Sequence, residues 1–218
     1  MTGDFAFNLG KLVTALLRYN FLMTVIAIGL AMPFGCILAL GRMARPRAIY
    51  LAASFYVNVL RSSPFLMVLF WVYYTIPMIM GRRVNAFTAA YISLAAFEAA
   101  YFTEIIRAGF QSISKDQRAA GLACGLKSWQ VARYIVIPQA LRRMLPSLLT
   151  QSIIAFQDST IASIIGVREV IATATIINAL RVRPIEVYSI VAAMYLVICF
   201  TVSQLVRRLE QRTRARLG

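Results

Sequence analysis

The feature that most constrains this chain is residues 21–41, a stretch without one charged side chain. As a helix rising about 1.5 Å per residue, it is long enough to cross a hydrocarbon core of about 30 Å. Comparable stretches recur along the 218 residues, so this one is not a lone signal peptide. Only 14% of the residues are charged, whereas a soluble domain carries about 25%. The sequence therefore predicts an all-α integral membrane protein.

Five segments are predicted to cross the bilayer. Residues 48–60 are also apolar, so the second span could begin earlier than residue 64 and contain a break near Pro64. Proline lacks a backbone donor and disfavours helix in the residue before it. No segment between the spans is long enough to bury a core of its own, so residues 1–218 are expected to form a single transmembrane domain. The predicted spans are residues 21–41, 64–80, 84–106, 144–166 and 185–206.

Basic residues between the spans predict the orientation. Segments 42–47, 107–143 and the tail from residue 207 together hold fifteen Lys and Arg residues. The alternate loops hold only five, Arg82, Arg83, Arg168, Arg181 and Arg183. Because positive charge favours the cytoplasmic side, the loop at 107–137 and the C-terminus are expected there, with the N-terminus outside. This topology accounts for the net charge of +15, so no nucleic-acid partner is expected.

The sequence lacks histidine and the common catalytic and nucleotide-binding motifs of enzymes. The sequence has no histidine, which removes the commonest metal ligand and the usual general base near neutral pH. Its three cysteines are widely spaced and predict neither a metal site nor a disulfide. No Gly-x-Ser-x-Gly and no Gly-x-x-x-x-Gly-Lys-Ser/Thr motif is present, so a membrane enzyme is disfavoured, and any ATP with its Mg²⁺ must be bound by another subunit.

The largest polar segment, residues 107–137, is predicted to be helical near its centre. A run of small residues there favours close contact with the surface of a partner protein. An amphipathic turn lying on lipid headgroups is the alternative. The residues concerned are Gln117, Arg118, Ala119, Ala120, Gly121 and Gly125.

This loop resembles the cytoplasmic signature of ABC importer permeases, Glu-Ala-Ala, three residues, Gly, nine residues, Ile, one residue, Leu-Pro. Aligned on Gly125, the chain keeps the spacing through Ile135 to Pro138. It departs in three places, with Ala119 for Glu, Gly121 for the second Ala and Ile137 for Leu. The resemblance implies the type I importer permease fold, with a short coupling helix that docks on a cytoplasmic ATPase through the six residues named above.

Four further segments are similar to the polar amino-acid uptake family. The sequence around Phe97 and Phe156 most resembles that of glutamate/aspartate permeases. The resemblance implies a bacterial inner-membrane permease that works by ATP-driven alternating access. It also implies cytoplasmic ATPase subunits, a second permease chain, a solute-binding protein that is periplasmic or lipid-anchored, and contact with membrane lipid. A permease for basic amino acids or glutamine is the alternative. The similar segments are residues 58–64, 101–113, 138–146 and 157–160.

Polar groups within the spans are candidates for the substrate path, because charge at bilayer depth usually faces a cavity or a partner. Asp158 is predicted near the middle of the fourth span and Glu98 near the middle of the third. Each could instead form an interhelical hydrogen bond. Arg61 could meet a substrate carboxylate, or tie helix ends together. The candidate path residues are Glu98, Gln157, Asp158, Ser159, Thr160 and Arg61.

A stand-alone secondary carrier remains a competing function. Such carriers often contain inverted repeats, and no convincing repeat is present in this sequence. Five spans are also too few to enclose a path, so a second permease chain is expected.

Overall fold

In a computed structural model, the backbone is described for residues 2–81 and 83–215, and side chains for residues 8–81 and 83–211. Arg82 and Arg216, both part of the charge pattern, lie outside the described residues. Every regular element in the described residues is helical. In chain order they are α1 Thr2–Ala15, α2 Leu22–Met43, α3 Arg47–Ser62, α4 Phe65–Met80, α5 Ala86–Gln111, α6 Lys115–Ala123, α7 Ser128–Val131, α8 Ile137–Asp158, α9 Val170–Arg181 and α10 Pro184–Ala215.

Four helical segments of the described chain are long and apolar enough to cross a membrane. They are Asn8–Met43, Ala86–Gln111, Ser128–Ile165 and Pro184–Gln211. The first begins well before residue 21, because a π-helical turn, Leu16–Phe21, joins α1 to α2 without a break. Leu12 and Leu16 are buried against α9 and α10, so packing keeps the helix continuous past Lys11 and Arg18.

The second span is a bent pair. Helices α3 and α4 meet at 112°, and only together are they long and apolar enough to cross a membrane. Ser63 and Pro64 between them have extended backbone. The predicted break at Pro64 is therefore confirmed. Counted as one span, this pair brings the candidate crossings of the described chain to five.

Helix α5 lies at the centre of the described fold and is buried along most of its length. It packs against α2, α4 and α8. Small residues allow the backbones to approach closely, as is common between membrane helices. A Cβ atom on Gly35 of α2 would lie 3.0 Å from Cβ of Phe102 in α5.

The span predicted for residues 144–166 lies within the helical segment Ser128–Ile165, but it is not α-helical throughout. The α-helix ends at Asp158, and Ser159–Ile165 forms a 3-10 helix that Gly166 ends at φ +87°. The hydroxyl groups of Ser159, Thr160 and Ser163 each donate to the carbonyl three residues back, which favours the tighter 3-10 turn. Asp158 is consequently the last residue of α8, in a helical segment that continues to Ile165.

Candidate coupling surface and translocation path

Helix α6 is the predicted coupling helix, and it is held by one face. The Ser114 hydroxyl caps its N-terminus by accepting from the backbone N–H of Gln117 at 3.3 Å. Gly121 is buried where α6 meets the segment leading into α8. A Cβ atom there would lie 2.7 Å from Cδ1 of Ile135 and 3.1 Å from Cγ2 of Val131. Only glycine fits this contact without movement of its neighbours.

The opposite face of α6 is open to solvent. Ala119 and Ala120 are both exposed, as are Gln117 and Arg118. Arg118 Nη2 donates to the carbonyl oxygen of Phe110 at 2.8 Å, so it ties α6 to the end of α5. The small exposed residues leave a surface that a second protein can approach closely.

Gly125 has a backbone reason to be glycine. No atom of this chain lies within 4 Å of its Cβ position, so packing within the chain does not require it. Its φ of +81° places it in the left-handed region, which glycine adopts without strain. Gly125 ends α6 and turns the chain toward α7.

Two of the candidate path residues, Glu98 and Asp158, carry carboxyl groups within the helical bundle. Glu98 is fully buried, and its Oε2 accepts a hydrogen bond from Gln151 Nε2 at 3.0 Å. Its other oxygen, Oε1, has no hydrogen-bond partner among the described residues. Asp158 is half-buried and lies within electrostatic range of Glu98. Glu98 therefore joins α5 to α8, whereas Asp158 remains partly accessible.

The four residues from Gln157 to Thr160 do not share one environment. Gln157 is exposed, Asp158 and Thr160 are half-buried, and Ser159 is almost fully buried. The Ser159 hydroxyl accepts from Asn20 Nδ2 at 3.0 Å, which directs it toward the first span. Gln157, Asp158 and Thr160 thus remain available to a path, and Ser159 is held in the helix packing.

Arg61 belongs to a cluster around Glu104. Glu104 accepts hydrogen bonds from Arg42 and from Arg107, the latter at 2.7 Å. Arg61 Nη1 lies 3.7 Å from Glu104 Oε2, and its guanidinium group lies 5.4 Å from the ring centre of Tyr101. Arg61 therefore ties helix ends together, which is the second of the two roles considered for it.

Arg61 and Asp158 lie at different depths. Glu104 lies six residues beyond Glu98 on α5, about 9 Å along the axis. Asp158 lies seven residues beyond Gln151 on α8, about 10 Å in the opposite direction. One α-amino acid cannot contact both groups at once, so the structure does not bring the candidate path residues into a single site.

A buried polar cluster that the sequence did not predict joins three helices. Asn20 and Glu169 are both fully buried, and Asn20 Nδ2 donates to Glu169 Oε2 at 3.1 Å. Asn20 Oδ1 accepts from the backbone N–H of Val170, and Glu169 Oε1 accepts from that of Ala172. Glu169 thus caps the N-terminus of α9. In the sequence, an acidic residue directly before an apolar run is the pattern that could have indicated this cap.

Comparison with known proteins decides the family. The sequence profile of the binding-protein-dependent transport system inner membrane component family matches residues 31–215. The chain belongs to this family of permeases. It is therefore a multi-span inner-membrane permease and not an enzyme, and the ATPase of such a system is a separate subunit.

Two curated relatives resemble the permease over most of its length. The Glutamate/aspartate import permease protein GltK of Escherichia coli O157:H7 is 36% identical over 198 residues, 88% of each chain. The Glutamine transport system permease protein GlnP of Escherichia coli (strain K12) is 39% identical over 161 residues, 73% of this chain and 74% of that protein.

Solved structures agree on the fold. The crystal structure of an amino acid ABC transporter with histidines superposes with a TM-score of 0.86, at 34% identity and over 93% of this chain and 94% of that chain. An inward-facing MetNI methionine ABC transporter superposes with a TM-score of 0.68 over 96% of this chain and 99% of that one, at 20% identity. The permease therefore has the predicted type I importer fold.

Proposed function

We propose that this permease translocates amino acids in an ATP-driven importer, and that its substrates are glutamate and aspartate. The observation that carries the proposal is the exposed surface of α6, where Ala119 and Ala120 are open to solvent on a helix that Gly121 packs against the segment leading into α8. A cytoplasmic ATPase subunit, which binds ATP and Mg²⁺, docks on this face. The side of α6 is accordingly the cytoplasmic side, and the N-terminus lies outside.

Contacts of the loop support transmission of movement from α6 to the spans. Arg118 binds the carbonyl of Phe110 at the end of α5, and Arg143 of α8 donates to the carbonyl of Ser112. Gly121 packs on the segment that leads into α8. Displacement of α6 by closure of two ATPases therefore tilts α5 and α8, which carry Glu98 and Asp158.

The position of Asp158 supports a zwitterionic substrate. Its carboxylate is half-buried at the point where α8 gives way to the 3-10 helix, so it can meet the ammonium group that every α-amino acid carries. A second permease chain encloses the path from the other side, and a solute-binding protein delivers the substrate. Similarity to the glutamate/aspartate permease over 198 residues favours acidic substrates.

Glutamine is the second candidate substrate, because the glutamine permease relative is 39% identical. Competition separates the two. The transporter, reconstituted with its ATPase and binding protein, would be supplied with labelled glutamate and an excess of each unlabelled amino acid. We expect glutamate and aspartate to suppress uptake and glutamine to leave it unchanged. If glutamine suppressed the uptake and labelled glutamine were itself transported, the substrate would be glutamine in place of the acidic amino acids. The proposed importer function would still hold.

A further inference from the structure

Two arginines from distant parts of the chain meet at the edge of the bundle farthest from α6. Arg18 lies in the π-helical turn of the first span, and Arg168 lies in the loop before α9. Both line two adjoining cavities of about 440 and 620 Å³, and both side chains are exposed. Tyr19 lines both cavities too, and Asn85 lines the smaller one.

The buried cluster described above holds these arginines side by side. Asn20 lies two residues after Arg18, and Glu169 directly follows Arg168. Their hydrogen bond of 3.1 Å, together with the bond from Val170 N–H to Asn20, fixes the two backbones to each other. The first span adopts a π-helical turn at this point, and such turns often occur at functional sites.

Neither arginine has a counter-charge among the side chains that the structure describes. No hydrogen bond or ion pair joins Arg18 or Arg168 to any residue that the structure describes. The carboxylate of Glu169 is buried and directed to Asn20 and Ala172. Two like charges held close together repel each other, and a bound anion would remove this repulsion.

The depth of the pair indicates what the anion is attached to. Arg18 lies twenty-four residues from Arg42 along one continuous helix, about 36 Å, which is about the thickness of the hydrocarbon core. Leu17 and Phe21, on either side of Arg18, are 55% and 56% exposed. The arginines therefore lie about one hydrocarbon thickness from Arg42, with exposed apolar side chains beside them. Leu22 and Phe87 make part of the smaller cavity apolar.

We propose that Arg18 and Arg168 bind the phosphate of an anionic phospholipid headgroup, with the start of an acyl chain against Leu22 and Phe87. Arginine suits this role because its planar guanidinium donates two parallel hydrogen bonds to phosphate oxygens. The lipid fills the smaller cavity and holds the first span against the loop before α9. The site faces the outer leaflet of the membrane, and this assignment alone rests on the proposed function, which puts α6 on the cytoplasmic side.

Native mass spectrometry of the purified permease with its ATPase tests the site, with phosphatidylglycerol and phosphatidylcholine as probes. We expect the wild-type complex to retain phosphatidylglycerol about tenfold more tightly than phosphatidylcholine. Arg18→Gln with Arg168→Gln removes this preference. Arg83→Gln, which removes an equal exposed charge at the same edge but lines neither cavity, keeps it.

Three results would overturn the proposal. The first is equal retention of the two lipids by the wild-type complex, a comparison that does not depend on folding of a variant. The second is displacement of bound phosphatidylglycerol by millimolar inorganic phosphate, which would make the site one for soluble anions. The third is weaker affinity of the double variant for the binding protein in lipid-free detergent, which would assign the arginines to acidic side chains of that protein. Arg18→Lys with Arg168→Lys keeps the charge, and we expect it to retain the lipid.

Discussion

Gly121 of the coupling helix and Ile135 are in direct contact, since a Cβ atom on Gly121 would lie 2.7 Å from Ile135 Cδ1. Ile135 belongs to a π-helical turn, Ala132–Val136, which continues directly into α8. The contact therefore joins the surface proposed for the ATPase to the span that ends at Asp158.

Gly121→Leu should displace α6 and reduce substrate-stimulated ATP hydrolysis several-fold, because the larger side chain cannot fit between Ile135 and Val131. Overpacking of this kind lowers the free energy of unfolding by about 1–3 kcal/mol. Gly29→Leu is the matched control, since no atom lies within 4 Å of its Cβ position. Gly121→Ala should reduce ATP hydrolysis less than Gly121→Leu does. Adding Ile135→Val to Gly121→Ala should restore hydrolysis, because valine lacks the Cδ1 atom that the new Cβ would meet. Equal hydrolysis by both leucine variants would contradict a role for this contact.

Asp158→Asn should lower amino-acid uptake about tenfold, because it removes the charge that meets the substrate ammonium. Glu98→Gln should keep uptake near the wild-type rate, since Glu98 is fully buried and pairs with Gln151. Initial rates of uptake at saturating binding protein distinguish the two. A large loss in Glu98→Gln with none in Asp158→Asn would reverse the assigned roles.

Glu104→Gln should destabilise the permease by about 1–3 kcal/mol, because three arginines lose their shared carboxylate in a partly buried site. Glu186→Gln provides the control. Its pair with Arg183 is exposed, so we expect a change within about 0.5 kcal/mol. Thermal unfolding in one detergent measures both, and similar shifts would show that the cluster contributes no more than a surface pair.

Asn20→Leu should lower the unfolding temperature more than Thr14→Val. Asn20 makes three hydrogen bonds in a fully buried site, and its loss leaves Glu169 without one of its partners, at about 1–3 kcal/mol. Thr14 is exposed and bonds only within its own helix. An unchanged unfolding temperature in Asn20→Leu would mean that the cluster does not hold the first span to α9.

Features that depend on apolar length and local backbone chemistry were predictable from the sequence. The crossings follow from long uncharged stretches, and the break at Pro64 follows from its missing donor and fixed φ. The pair of Glu104 and Arg107 follows from a spacing of three on one helix. The α6 surface was predicted from its small residues.

Features that depend on contacts distant in sequence were not predictable. Arg42 and Arg61 meet Glu104 across three helices, and Asn20 meets Glu169 across the bundle. Helix α9 has twelve residues, too few for a span, so hydropathy did not reveal it. The position of Asp158 depended on the hydroxyl groups that convert residues 159–165 to a 3-10 helix, an effect that apolar length does not report.

Uptake of labelled glutamate into proteoliposomes that contain the permease, its ATPase and its binding protein tests the importer function most directly. We predict that accumulation requires ATP on the ATPase side and binding protein on the other side, and that Gly121→Leu lowers its rate several-fold. Accumulation at an equal rate without ATP would contradict the proposed function.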